Sequence, residues 1–199
     1  MNNISYRLFW IAGILIAVAA FPVFGQGGPA GPTGPTGPGT GPCCVAATQP
    51  VTEMEAKWLG FMREEEKLAR DVYAQLYAKW KLRLFGNISR SEERHYEAIG
   101  VLLTRYGVAD PSANVPAGVY TDAGLSKLYA ALIAKGLTSV KDALEVGIAI
   151  EKQDIADLES ALKDTAKTDI KTVYTNLMTG SLSHLESFEH VLEITSAIQ

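Results

Sequence analysis

The sequence predicts an all-α domain, an antiparallel four-helix bundle in which a long crossover carrying a short helix joins the second and third bundle helices. Three observations predict it. Four stretches repeat apolar residues at alternating steps of three and four, the spacing of one helix face. The stretch between the second and third of these is long, residues 108–138, whereas the other two connections are short. Strand signals are weak throughout. Each of the four apolar stripes is also interrupted by a residue able to ligate a metal, and those interruptions carry the functional argument.

The globular part is preceded by two segments of different character. Residues 1–27 read as a signal peptide or an N-terminal anchor: Arg7 precedes an uncharged apolar run, residues 8–24, that ends in Val23-Phe24-Gly25. The run is slightly long for the apolar core of a signal peptide and near the lower limit for a spanning helix. The protein is therefore expected to be exported, periplasmic or extracellular, or to be held at a membrane if the segment stays uncleaved. Residues 28–51 form a Gly/Pro-rich linker whose Gly-X-Y triplets are too few for a lasting triple helix, so a flexible spacer is expected. Cys43 and Cys44, the only cysteines, lie in it. Adjacent cysteines bridge each other only with strain, which makes a disulfide-linked homodimer the natural oxidised form. Thr40-Gly41-Pro42 ahead of Cys43 does not resemble a lipobox, so no lipid anchor is assigned.

Residues 52–199 are assigned to the bundle. Thr52 with Glu55 makes a capping box that opens the first helix, with the stripe Leu59, Met62, Glu66, Ala69, Tyr73, Leu76 and Trp80. The second helix carries Ile88, Glu92, His95, Ile99, Leu102 and Tyr106 and stops at Gly107, with Pro111 beyond. For Glu66 and His95 to share a level the turn must fall just after Trp80, so this helix should begin near Leu82 to Leu84. The crossover contains a short helix, roughly residues 122–135, closed by Gly136. Ser139 with Asp142 opens the third bundle helix, with the stripe Leu144, Ile148, Glu151, Ile155, Leu158 and Leu162 and with Asp154 on its flank. A turn at residues 164–168 leads to the fourth, with Ile170, Tyr174, Leu177, Ser181, His184, Phe188 and Val191.

A carboxylate on a core-facing stripe loses hydration worth several kcal/mol and must be neutralised by a proton, a cationic partner or a metal. Glu92 and His95, three residues apart on a helix, point the same way and can share one ion. The point midway between Glu151 and His184 falls inside the predicted turn, so this pair also shares a level. One polar residue in a stripe is commonly a register device. Four in four helices are read as converging ligands.

Glu66 followed by Ala69-Arg70 and Tyr73, then Glu92-x-x-His95, Glu151 and His184, resembles the ferritin-like di-iron carboxylate superfamily, rubrerythrin and bacterioferritin among its members. The stretch from Glu64 through Tyr73 is similar to an uncharacterised, often exported, branch of it. The resemblance implies a Glu from each of two helices and a Glu-x-x-His from each of the other two. Carried over, Glu66 and Glu151 are the lone carboxylates and Glu92 with His95 is one complete Glu-x-x-His. The second is incomplete, because Ser181 stands where a Glu should precede His184. Asp154, three residues after Glu151, is the candidate for the missing oxygen. The metal ligands expected are thus Glu66, Glu92, His95, Glu151, Asp154 and His184, and the cofactor expected is iron, as a di-iron site, with manganese or zinc as alternatives. Two cysteines cannot hold the separate four-cysteine iron domain of rubrerythrins.

Other readings of the same residues stand beside these. Glu92 would be the capping partner of Ser89 if the second helix began there, and each histidine could be a core residue bonded to a carbonyl. Glu64, Glu65, Asp157 and Glu159 read as solvated helix-face charges, Tyr73 and Tyr174 as core, and Glu145 as surface. The net charge of −4, the pI near 5.4 and the dispersed Lys and Arg residues argue against a nucleic-acid partner. Three functions remain: a di-metal centre reacting with oxygen or peroxide, a passive metal-binding protein, and a metal-free structural bundle on a surface tether.

Overall fold

The structure, a computed structural model, describes residues 49–197; the expectations for residues 1–48, including export, anchoring and the Cys43/Cys44 disulfide, lie outside the described residues. Five helices and no strand occur among the described residues: α1 (Glu53–Trp80), α2 (Arg83–Tyr106), α3 (Ala123–Gly136), α4 (Val140–Lys163) and α5 (Thr168–Ala197). None of them is long and apolar enough to cross a membrane.

The helix boundaries follow local chemistry. The Thr52 hydroxyl accepts from the Glu55 amide while the Glu55 carboxylate accepts from the Thr52 amide, so two otherwise orphaned donors are satisfied at the start of α1. Lys81, at φ 56, turns the chain left-handed, and after Leu82 the second helix begins at Arg83, inside the expected window. Ser89 is thus interior to α2, and its hydroxyl donates to the Arg70 carbonyl on α1, which removes the alternative in which Glu92 caps a helix starting there. Gly107, at φ 64, ends α2 in a conformation that costs a residue with a Cβ about 1–2 kcal/mol. Asp122 and Ser139 cap α3 and α4.

The long helices form two hairpins. Tyr77 lies over Gly86, Arg70 meets Ser89 and Glu93, and Arg63 meets Tyr96, so α1 and α2 run antiparallel. Asp154 meets Ser181, Glu151 meets His184 and Gly147 meets Phe188, so α4 and α5 do too. The hairpins join through α1 with α4 (Tyr73 to Glu151) and with the turn after it (Glu55 to Thr165), and through α2 with α5 (Arg105 to Asp169, Glu92 to His184). Neighbours are therefore antiparallel, and α2 runs parallel to α4, which the crossover through α3 makes possible. At one end Leu59, Met62, Ile99, Leu102, Leu158, Ile170, Tyr174 and Leu177 make an apolar cluster, each large side chain contributing about 1.5–3 kcal/mol of burial.

The crossover changes what counts as inside. Residues 62–69 of α1 are all buried, five of them charged. The Lys67 ammonium bonds Asp71 at 2.7 Å and donates to the carbonyls of Pro116 and Val119, and Asp71 also accepts from Tyr120 and the Gly118 amide. Glu64 accepts from the amides of Thr121 and Asp122 and from the Thr121 hydroxyl. The expectation that Glu64 and Glu65 are solvated is therefore corrected: the crossover and α4 cover the faces on which they lie. The stripe of α4 is corrected as well, since Ile148, Ile155 and Leu162 are only half-buried while Gly147, Ile150 and Asp154 are buried.

Candidate metal centre

α1 brings Glu66, α2 brings Glu92 and His95, α4 brings Glu151 and α5 brings His184 into the interior of the bundle. Glu92 is at the middle of the arrangement. Its Oε2 lies 2.8 Å from His95 Nδ1 and its Oε1 lies 2.7 Å from His184 Nδ1. Glu66 Oε2 approaches the same His95 nitrogen at 3.3 Å, and Glu151 Oε2 approaches that of His184 at 3.6 Å. The two imidazoles stack with centroids 5.7 Å apart. Two triads result, Glu66/Glu92/His95 and Glu92/Glu151/His184, each offering ligand atoms within 4.8 Å of one another and both using Glu92.

The triads fit dications better than they fit each other. Glu66 Oε1, Glu92 Oε1 and both Nδ1 atoms are buried without a hydrogen bond of acceptable geometry, although their neighbours are close. Ligand atoms this close to one another have the spacing at which one metal ion can be shared. Mixed carboxylate and imidazole donors suit iron, manganese or zinc, with one oxygen of Glu92 facing each triad.

Further contacts fix the ligands. The Tyr73 hydroxyl donates to Glu151 Oε1 at 2.7 Å, leaving Oε2 turned to His184, and the Tyr73 ring is held between Phe85 and Phe188. Tyr73 was expected to be core; it is buried and also orients a ligand. Tyr174 keeps the core role. Ser181 donates to Asp154 Oδ2 at 2.6 Å, while Asp154 Oδ1 is buried and unpartnered. Asp154 lies in neither triad. Gly180 lets α5 approach His95: a Cβ there would sit 2.7 Å from His95 Cε1 and Nε2.

The electrostatics show how strained the set is with protons as its only counterions. Burial and then the charge of Glu92 push Glu151 up to about 8, and burial chiefly pushes Asp154 up to about 7. Burial and the neighbouring Asp154 raise Glu66 well above the usual range. Burial opposes the charge on Glu92 too, but the imidazoles of His184 and His95 outweigh it and hold the carboxyl at about 2. The converse holds for the histidines: against the effect of burial, Glu66 and Glu92 raise His95 to about 11, and Glu151 and Glu92 raise His184 to about 9. A dication can replace those protons as the counter-charge.

Residues 55–198 match the family model described as "Uncharacterized protein domain (DUF2202)". The chain belongs to the DUF2202 family. A relative, "Uncharacterized protein MJ0754" of Methanocaldococcus jannaschii, is 49% identical over 144 residues, 72% of this chain and 78% of the relative. The crystal structure of hypothetical protein MJ0754 superposes with a TM-score of 0.73 at 48% identity, over 75% of this chain and 85% of that one. A DUF305 fragment from Deinococcus radiodurans shares the fold at 17% identity, with a TM-score of 0.56 over 72% of this chain and 98% of that one. The DUF2202 match covers every residue of both triads.

The sequence reasoning missed Glu65. Its carboxyl is buried beside Asp157, Asp154 and Glu66. The signal was there in the unbroken run Arg63-Glu64-Glu65-Glu66-Lys67, too charged for a helix with only one face to solvent.

Proposed function

We propose that this DUF2202 protein is an exported, ferritin-like metal-binding protein whose bundle holds two metal ions, iron as the leading candidate, and reacts with oxygen or peroxide. The observation that carries the reading is Glu92, whose two oxygens face two histidines from different helices, each backed by its own carboxylate. Two ferrous ions would supply the two electrons that convert one peroxide and two protons into two waters. The protein's part is to hold the ions at a shared carboxylate, to fix Glu151 through Tyr73, and to leave only the edges of His95 and His184 near solvent, their side chains 12% and 11% exposed. The ferritin-like assignment is supported by the ligand order along the chain and by a crossover that sets α2 parallel to α4.

The test is elemental analysis and anaerobic titration of the full chain with ferrous ion, followed by addition of peroxide. Uptake of two ions per chain and their stoichiometric oxidation support the reading. Uptake without peroxide-dependent oxidation would leave a passive metal-binding protein, and absence of uptake would leave a structural bundle.

A further inference from the structure

We propose that the tip of the α1–α2 hairpin carries an anion site, in which Arg83, Arg90 and Asn87 hold the phosphate of a small phosphate ester and the Tyr77 ring holds its apolar part. The site shares no residue with the triads and does not depend on the metal-binding reading. A surface cavity of about 330 Å³ lies there, lined by Tyr77, Arg83, Gly86, Asn87 and Arg90. The chain as a whole is acidic, with a net charge of −4, yet residues 72–91 contain no acid and four basic residues, Lys79, Lys81, Arg83 and Arg90. Arg83, Asn87 and Arg90 follow one another at steps of four and three, so they share one face of α2. Among the described residues neither arginine has a carboxylate partner, whereas Arg63, Arg70 and Arg105 each pair with one. The first turn of α2, where Arg83 stands, holds no acidic residue either. The Lys81 ammonium adds a third cation 5.9 Å from the centre of the Tyr77 ring.

The donors and the shape of the cavity select the ligand. Guanidinium groups present their N–H donors as a planar fork that matches the oxygens of a phosphate. Arg90 donates to Asn87 Oδ1 at 2.6 Å, which occupies the amide oxygen and leaves the Asn87 NH2 as a further donor. The cavity is of the size that takes a small organic molecule, for which pockets begin near about 300 Å³, so it has room for more than a bare oxyanion. The Tyr77 ring, 40% exposed, supplies an apolar wall for that remainder. Gly86 makes the wall possible: a Cβ there would stand 3.1–3.2 Å from the Tyr77 ring. A glycine inside a helix is destabilising relative to alanine, and at this position its missing side chain lets the ring come down onto α2 beside the arginines.

The test is isothermal titration calorimetry of the full chain with phenyl phosphate, with inorganic phosphate and with phosphatidylglycerol vesicles. Expected is one equivalent of phenyl phosphate, bound at least about tenfold more tightly than inorganic phosphate because its ring is buried against Tyr77. Arg83→Gln and Arg90→Gln should each weaken phenyl phosphate by at least about tenfold. Tyr77→Ala should bring it down to the affinity of inorganic phosphate. Lys163→Gln, which removes the same charge from an exposed position at the end of α4, should bind as the parent does. Tyr77, Arg83 and Arg90 are all exposed, so these variants keep the core intact. Parental affinity in both arginine variants, equal weakening in Lys163→Gln, or binding to the vesicles without binding of phenyl phosphate overturns the proposal. Loss of phenyl phosphate binding after chelation of bound metal would put the anion at the triads and overturn it too, while leaving the metal-binding reading intact.

Discussion

Replacing Glu92 by Gln keeps the shape of the side chain and removes the charge that both triads share. Two effects can be sized. In the metal-free protein the imidazoles of His184 and His95 overcome the burial penalty and draw Glu92 from 4.5 down to about 2. By linkage, at 1.36 kcal/mol per unit, that is about 3 kcal/mol of stability. Its sign follows from the depressed value: it is fully present above about pH 4.5 and fades as the pH falls toward 2. In the metal-loaded protein each ion loses a ligand at once. An ion at a hundred times its Kd stabilises by about 2.7 kcal/mol, so two contribute roughly 5 kcal/mol, or about 10–20 °C in Tm for a domain of this size. Differential scanning calorimetry of the full chain, with and without Mn²⁺, is the assay. Glu92→Gln should lower the metal-free Tm at pH 7 and abolish the metal-dependent rise, and Glu97→Gln, exposed on the same helix, should change neither. A Glu92→Gln protein with the parental metal-dependent rise would refute the shared-ligand geometry.

Three shorter predictions follow from particular contacts. Ser181→Glu should tighten the weaker of the two metal equivalents, because it adds a carboxylate one turn before His184 where Ser181 now bonds Asp154, and Asp154→Ala should weaken it; titration of both reads the outcome. Gly180→Ala should weaken metal binding at the first triad in titration, even though alanine in a helix interior would otherwise stabilise by up to about 1 kcal/mol, because its Cβ would fall 2.7 Å from the His95 ring. Lys67→Met should cost about 3 kcal/mol in denaturant melts, near the low end for breaking a buried pair, because Asp71 keeps Arg70 and Tyr120 while the Pro116 and Val119 carbonyls lose their donor.

The sequence disclosed what depends on local chemistry and periodicity. Thr52 with Glu55, Gly107, Asp122 and Ser139 marked ends that the backbone obeys, and the shared level of Glu66 and His95 required a turn just after Trp80, where Lys81 and Leu82 make it. The five ligands of the triads were legible for a related reason: an ionisable residue on an apolar stripe is conspicuous. Glu64 and Glu65 were misplaced because periodicity identifies one buried face per helix, and α1 has more than one. Its other faces are covered by the crossover and α4, elements distant in sequence, so charge that looked solvated is bonded to loop amides or buried beside the triads. The pairing of Lys67 with Asp71 four residues on was the available hint. A lysine that is 1% exposed needs its partner nearby, and that spacing provides one on the same face.

The charges within the bundle favour a metal-loaded state. Glu65, Glu66, Glu92, Glu151 and Asp154 are five buried carboxyls, and three of them, Glu66, Glu92 and Glu151, share the triads with the two imidazoles. With no cation present, an overall neutral interior requires five protons, two on the histidines and the rest on carboxyls, in keeping with the burial that raises Glu151 to about 8 and Asp154 to about 7. Two dications reduce the requirement to a single proton with both imidazoles neutral and free to ligate. The Glu65 hydrogen bond to Asp157 already has a place for that proton. Ser181 fits the same accounting: a glutamate there, beside Asp154, would put a sixth carboxyl in the cluster. In this chain the hydroxyl bonds the Asp154 carboxylate of α4 instead, so the natural cluster carries five carboxyls, and a sixth at that position would have to be matched by a more tightly held cation.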